Sequence, residues 1–281
     1  MSEKSNISPQ AKTNKISISR TISQSYLFFM EHFFDFVRLS FVPMIVWVSA
    51  EFLCDYLMYY YGAQLNPTVP RAMASAAFAL VWYRQFLMGA KHATYLQLID
   101  HVLRPGVFDL SSLFFSVFRI VLTSIILFVP TLLLSVSLML YQYSRGVLID
   151  NEAVQTIAIQ STTAIILLFS PVLVRLSFYT VGAALGRRRM SMRNIWRGTS
   201  GYTVSLWLLM LRAFLPITLY TYFITWAFEK IANRLAVDFM TTSLLVNIPS
   251  AFFTFMLLAI VVGVNGEAFK HLFGIRTSPR D

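Results

Sequence analysis

The chain has a single cysteine, Cys54, among 281 residues. No intramolecular disulfide or thiolate metal cluster can form from it, and redox chemistry is not implied. Charge is scarce as well: 13% of residues are charged, with 13 Asp and Glu against 23 Lys and Arg, while 57% are hydrophobic. That leaves too little polar surface to cover a globule in water. A long polar block is missing too, which excludes a disordered protein or a soluble enzyme domain on a membrane tail. Residues 1–20 (MSEKSNISPQAKTNKISISR) have no apolar core and read as a disordered tail, not a secretory signal.

Catalytic signatures are equally sparse. His32, His92, His101 and His271 show no paired ligand spacing, and Glu267 with His271 makes one weak i, i+4 pair. There is no Gly-x-Ser-x-Gly and no phosphate-binding Gly-Lys-Ser/Thr loop, and Gly198-Thr199-Ser200-Gly201 fits neither. The expectation is a protein that is not an enzyme, with no cofactor and no metal.

What the chain does have is long apolar runs. A bilayer core of ~30 Å needs about 20 residues at 1.5 Å each. Six segments qualify: 39–61, 69–88, 113–141, 157–185, 202–228 and 243–264. The fold class is therefore all-α: a polytopic membrane bundle of six transmembrane helices with cytoplasmic interfacial amphipathic helices. The expected domains are a disordered cytoplasmic tail (1–20), a six-helix transmembrane domain (21–266) and a cytoplasmic C-terminal tail (267–281).

The net charge of +10 locates the two sides. Counted by loop and span end, seventeen basic residues fall with the tail, the second and fourth loops and the C-terminus, including Arg187, Arg188 and Arg189. Four, Arg71, Arg145, Lys230 and Arg234, fall on the other side. The positive-inside rule then places both termini in the cytoplasm, at a bacterial inner membrane. Because this bias accounts for the basic excess, nucleic acid is not an expected partner; anionic lipid and a membrane-protein partner are. Helical apolar stripes mark the interfacial helices: Tyr26, Phe29, Phe33, Phe36 and Val37; Tyr95, Leu96, Ile99, Val102 and Leu103; Met192, Ile195 and Trp196; and a weaker one over 267–273.

Two sets of charges are candidates for function. Glu51 and Asp55 share one face of the first span, with Arg119 and Arg212 as the cations inside spans. Intramembrane charges are costly and should pair, either as a register-fixing ion pair or as part of a proton, cation or substrate path. Arg38, Arg84, Arg175, Arg193 and Arg197 form a cytoplasmic band with candidate contacts to lipid phosphate, against snorkelling as the alternative. For packing, Gly182 and Gly186 form a Gly-x-x-x-Gly, and Ala72, Ser75, Ala76 and Ala79 supply small residues.

Phe41-Val42-Pro43, Phe128-Val129-Pro130 and Phe214-Leu215-Pro216 suggest a threefold repeat of two-span units, set against coincidence in a Phe-rich chain. If real, a transported solute would bind between repeats. Each span proline, Pro171 and Pro249 included, frees a backbone carbonyl that a neighbour must satisfy.

Leu173-Val174-Arg175-Leu176-Ser177, followed by Met190-Ser191-Met192-Arg193-Asn194-Ile195-Trp196-Arg197-Gly198-Thr199-Ser200-Gly201, resembles bacterial six-span proteins related to the membrane domain of some glycerophosphodiester phosphodiesterases. Trp82-Tyr83-Arg84-Gln85-Phe86-Leu87-Met88-Gly89 resembles a segment of uncharacterised alphaproteobacterial members. The resemblance covers about a third of the chain, with Arg84, Arg175, Trp196 and Gly201 as family-like positions. It implies an inner-membrane protein of unassigned activity; the phosphodiesterase catalytic domain has no counterpart here. The functional expectation is a non-enzymatic accessory, scaffold or lipid-interacting protein, and the alternative is a small transporter of an anionic or amphipathic solute.

Overall fold

The computed structural model describes residues 17–63, 65–97, 129–146, 151–184, 192–235 and 237–274. About 90% of them are helical and none lies in a strand. The helices are α1 (Ile18–Glu31), α2 (Phe33–Tyr61), α3 (Thr68–Met88), α4 (Asn151–Ala184), α5 (Met192–Gly198), α6 (Thr203–Arg234) and α7 (Phe239–Phe273), with a 3-10 turn at Ala90–His92. Residues 129–144 are helical too. Four helices, α2, α4, α6 and α7, are long and apolar enough to cross a bilayer. Helix α3 is 21 residues long, of spanning length, but more polar. The first part of the expected third span (113–128), Ile99, Val102 and Leu103, the Arg187–Arg189 run and residues 1–16 lie outside the described residues.

Helix ends differ from the apolar runs in a consistent way. Helix α1 begins at Ile18, inside the stretch read as tail, and α7 continues to Phe273, nine residues beyond the last apolar run. Backbone hydrogen bonding carries a helix past its apolar stretch wherever the extra turns find packing, and both extensions do. Ser25 of α1 lies against Gly263 of α7, and Phe273 lies against Gly198.

Helix α7 is the centre of the bundle and touches α1, α2, α3, α4 and α6. Its inward face is small where neighbours approach. A Cβ on Gly266 would stand 2.7 Å from Phe86 Cδ1, so only glycine admits that ring. Between α2, α3 and α7 the interior is filled by aromatic rings. Phe36 is fully enclosed and meets Phe78, Trp82 and Phe252 at 5.8–6.1 Å between centroids, while Phe78 meets Phe255 edge-on at 5.3 Å. These edge-to-face contacts set a ring's positive rim on its neighbour's negative face. The Trp82 indole nitrogen donates to the Ala259 carbonyl at 3.0 Å.

The outer surface is the reverse. Large apolar side chains such as Phe41, Leu53, Leu168, Leu219 and Phe223 are exposed along the long helices. On α1, Phe29 is buried while Leu27 and Met30 point outward, so both its faces carry large apolar groups. A membrane-embedded bundle needs such an apolar girdle.

Candidate functional site

One end of the bundle, where α2 ends and α3 and α7 begin, holds Glu51 and Asp55 of α2. Glu51 pairs with Arg71 of α3, Oε1 to Nη1 at 2.9 Å, and the Arg71 guanidinium lies 4.5 Å from the Trp47 ring centre. Of the two cations expected for Glu51, Arg119 lies outside the described residues and Arg212 is exposed on α6. Arg71, counted from sequence with the loop before α3, stands in the first turn of that helix and reaches Glu51 and Trp47 of α2. A long apolar stem lets an arginine do this. Asp55 is bound differently, by donors from α7: Ser243 Oγ at 2.6 Å and the Asn247 amide nitrogen at 3.3 Å. Ser243 and Asn247 are four residues apart, as Glu51 and Asp55 are, so the two helices present matching faces.

The opposite end carries a second polar centre. Asn265, 2% exposed just past the end of α7's apolar run, donates to the Tyr83 hydroxyl at 3.0 Å and to Ser177 Oγ at 2.7 Å. This joins α3, α4 and α7 at one level. Two residues before Ser177, Arg175 is 8% exposed. Its Nε donates to Thr199 Oγ1 at 2.8 Å, its Nη2 donates to the Trp196 carbonyl, and its guanidinium lies 3.5 Å from the Trp196 ring centre. The short helix α5 is therefore clasped to the bundle from below by an arginine, with Ile195 buried beside it. Arg193 and Arg197 are exposed on α5.

The remaining candidates divide by environment. Arg38 is exposed and pairs with Asp35 at 3.3 Å, and Asp35 also accepts from the buried Gln85 amide at 3.0 Å. Arg84 is half-buried in the last turns of α3. Gly182 is buried on α4, and Gly186 lies outside the described residues. Glu267 meets Lys270 at 3.2 Å and His271 at 3.8 Å, a surface arrangement at the end of α7. Among the described residues no group of three His, Cys, Asp or Glu side chains stands together as a metal site would require.

Two of the proline-freed carbonyls are satisfied by side chains. Pro43 leaves the Leu39 carbonyl without its helical donor, and the Tyr95 hydroxyl donates to it at 2.6 Å. Burial raises the Tyr95 phenol above its usual range, so the hydroxyl keeps its proton at neutral pH. Pro171 likewise frees the Leu167 carbonyl, which accepts from Ser170 Oγ at 2.7 Å; Ser170 in turn accepts from the Trp207 indole of α6 at 2.7 Å. The repeat's three Phe-x-Pro sites do not share one environment: Pro43 is buried and Pro216 is exposed.

The chain matches no protein-family model, no curated protein and no solved structure. Arg71, Tyr95 and the Asn265 centre were not singled out from sequence. For Asn265 there was a signal, an amide at the end of an apolar run, flanked by Gly263 and Gly266, where helices can approach closely enough to bond it.

Proposed function

We propose that the protein is a non-enzymatic, multi-pass protein of the bacterial inner membrane that serves as a scaffold or accessory subunit and engages anionic lipid, and a membrane partner, at its basic end. In this reading the chain has six spans with both termini in the cytoplasm, α3 and the region of 113–141 completing the four most apolar helices. The group resembling the phosphodiesterase membrane domain is its proposed family, on the motif around Arg175 and Trp196.

The observation that carries the reading is the solid aromatic interior within an exposed apolar girdle. Phe36, Phe78, Trp82 and Phe255 fill the space between α2, α3 and α7, as a structural bundle requires. The positive-inside bias supports the orientation, because the ends of α3, α4 and α7 that meet around Asn265 are also those beside the basic segments. The transporter reading draws on one feature, the Glu51–Arg71 pair with Asp55 close by. Ionisable groups at membrane depth mark solute and proton paths in transporters.

Purification in native lipid discs, with identification of retained lipids and co-purifying proteins, tests the scaffold reading. Enrichment of anionic lipid with a reproducible partner is expected. A substrate-dependent current in proteoliposomes, abolished by Glu51→Gln, would replace it with transport. Topology is tested separately by single-cysteine labelling in a Cys54→Ser background. Cysteines at positions 193 and 270 should react only from the cytoplasmic side.

A further inference from the structure

Arg175 is the most buried basic residue described, and its contacts supply no negative charge. Its partners are a hydroxyl, a backbone carbonyl and the face of an indole. The basic residues that do have acids nearby, Arg38, Arg71 and Lys270, are each far more exposed. A buried cation without an anion is costly, and proteins normally compensate it with a carboxylate or a bound anion. Two of its five N–H donors are used by Thr199 and Trp196, so donors remain for an oxyanion.

The surroundings point to the same chemistry. Helix α5 has Ile195 turned inward, with Arg193 and Arg197, one turn apart on one face, exposed and Trp196 half-exposed. The clasped unit thus carries two exposed guanidinium groups, with that of Arg175 stacked on its indole from within. Its position is fixed from two directions, by Arg175 on α4 and by Gly198, whose missing side chain leaves room for Phe273 at the end of α7. A Cβ there would lie 2.5 Å from the Phe273 ring. Guanidinium pairs bind phosphate oxygens bidentately, and a tryptophan with one face on a cation and its other edge exposed suits the level of lipid headgroups.

We propose that α5 and Arg175 form a binding site for a phosphate ester, the phosphodiester headgroup of an anionic phospholipid, with Arg193 and Arg197 as direct contacts and Arg175 as the buried counter-charge that also positions the helix. This rests on the lipid-engaging reading above and narrows it to one surface.

Native mass spectrometry of the delipidated full chain, titrated with phosphatidylglycerol or phosphatidylcholine, gives an affinity for each lipid. The wild type should bind one phosphatidylglycerol in preference to phosphatidylcholine. Arg193→Gln with Arg197→Gln should weaken that binding about thirtyfold, at about fivefold per basic residue beside an anionic surface. Arg145→Gln, which the positive-inside count assigns to the opposite side of the membrane, should leave it unchanged. Arg175→Lys keeps the charge but loses the Nε donor and should weaken binding while preserving its selectivity; if that variant fails to fold, the double variant still decides. Equal phosphatidylglycerol binding by wild type and double variant would overturn the α5 site while leaving lipid engagement intact. No preference between the two lipids in the wild type would overturn both. Millimolar glycerol phosphate or inorganic phosphate separates the sources: unchanged lipid binding supports a membrane headgroup, and displacement overturns the lipid assignment in favour of a soluble phosphate ester.

Discussion

Helices α2 and α3 meet α7 through a cluster of enclosed rings, whereas α4 and α5 are tied to the bundle by several side-chain hydrogen bonds in addition to the contact of Phe178 with Phe269 and Phe273. On the first side Phe36, Phe78 and Trp82 are fully enclosed and interlock with Phe252 and Phe255. On the second, Ser170 bonds Trp207, Ser177 bonds Asn265, and Arg175 bonds Thr199, while the inward stripe of α4 runs through Ile157, Ser161, Ile165, Phe178 and Val181. The difference shows two ways of holding helices where burial from water contributes little. Lipid tails are as apolar as leucine, so association depends on close packing or on interhelical hydrogen bonds. The ring-packed side is intolerant of volume change; the bonded side is intolerant of lost polarity.

The ring-packed side is most directly broken by Phe36→Ala. It opens a cavity among Phe78, Trp82 and Phe252 that rigid rings cannot close, and should cost about 3 kcal/mol, mostly as lost dispersion contacts. Thermal unfolding in detergent measures it. Gly266→Ala tests the same side by overfilling. The new methyl would meet Phe86, itself held edge-on by Phe28 at 4.7 Å and covered by the Lys270 ammonium at 4.2 Å. A loss of about 1–3 kcal/mol is expected. An unchanged melting temperature would mean that the ring can swing away and that α7 packs less tightly than this geometry requires.

Polar substitutions should sharpen the contrast at smaller cost. Asn265→Ala leaves the Tyr83 and Ser177 hydroxyls without their shared partner, and Ser170→Ala removes the donor to the Leu167 carbonyl. Interhelical hydrogen bonds in membrane proteins contribute about 0.6 kcal/mol on average and up to about 1.7. Asn265→Ala belongs near the upper value because it touches three helices, and Ser170→Ala near the average. If both matched Phe36→Ala in effect, the division between the two sides would fail.

Much of this arrangement could be read from the chain, and the parts that could not have a common cause. Apolar length located α2, α3, α4, α6 and α7 to within two or three turns, because membrane span length is a one-dimensional property. The stripe read as one interfacial helix is divided at His32, with Tyr26 and Phe29 on α1 and Phe33, Phe36 and Val37 on α2, while Met192, Ile195 and Trp196 located α5. Pairings were not accessible in the same way. Glu51 has several cations at comparable depth, and which one it meets depends on the rotation of α3 about its axis, which periodicity in a nearly uniformly apolar helix does not specify. The requirement that Pro43 and Pro171 free carbonyls is local and was legible; that Tyr95 answers one and Ser170 with Trp207 the other is tertiary. For the same reason Arg175 could be picked out as a basic residue of interest, while its clasp on α5 became visible only with the two helices in place.

The smallest effect expected is at the first turn of α7. Asp238 caps that helix, its carboxylate accepting from the Thr241 backbone N–H at 3.0 Å and from the Thr241 hydroxyl at 2.6 Å. The hydroxyl, followed by the backbone N–H, holds the Asp238 carboxyl below the usual aspartate range. A carboxyl whose folded value is depressed contributes stability that is complete above its unfolded value, near 3.9, and is lost as pH falls through the folded value. Acidification below about pH 4 should therefore fray the start of α7 before the bundle loosens. Amide exchange at Thr241, compared between wild type and Asp238→Asn at each pH, measures it. Asparagine retains an acceptor oxygen without a titrating proton, so the variant should lose the acid-dependent fraying while keeping most of the cap. Equal pH dependence in the two proteins would place the acid-sensitive group elsewhere.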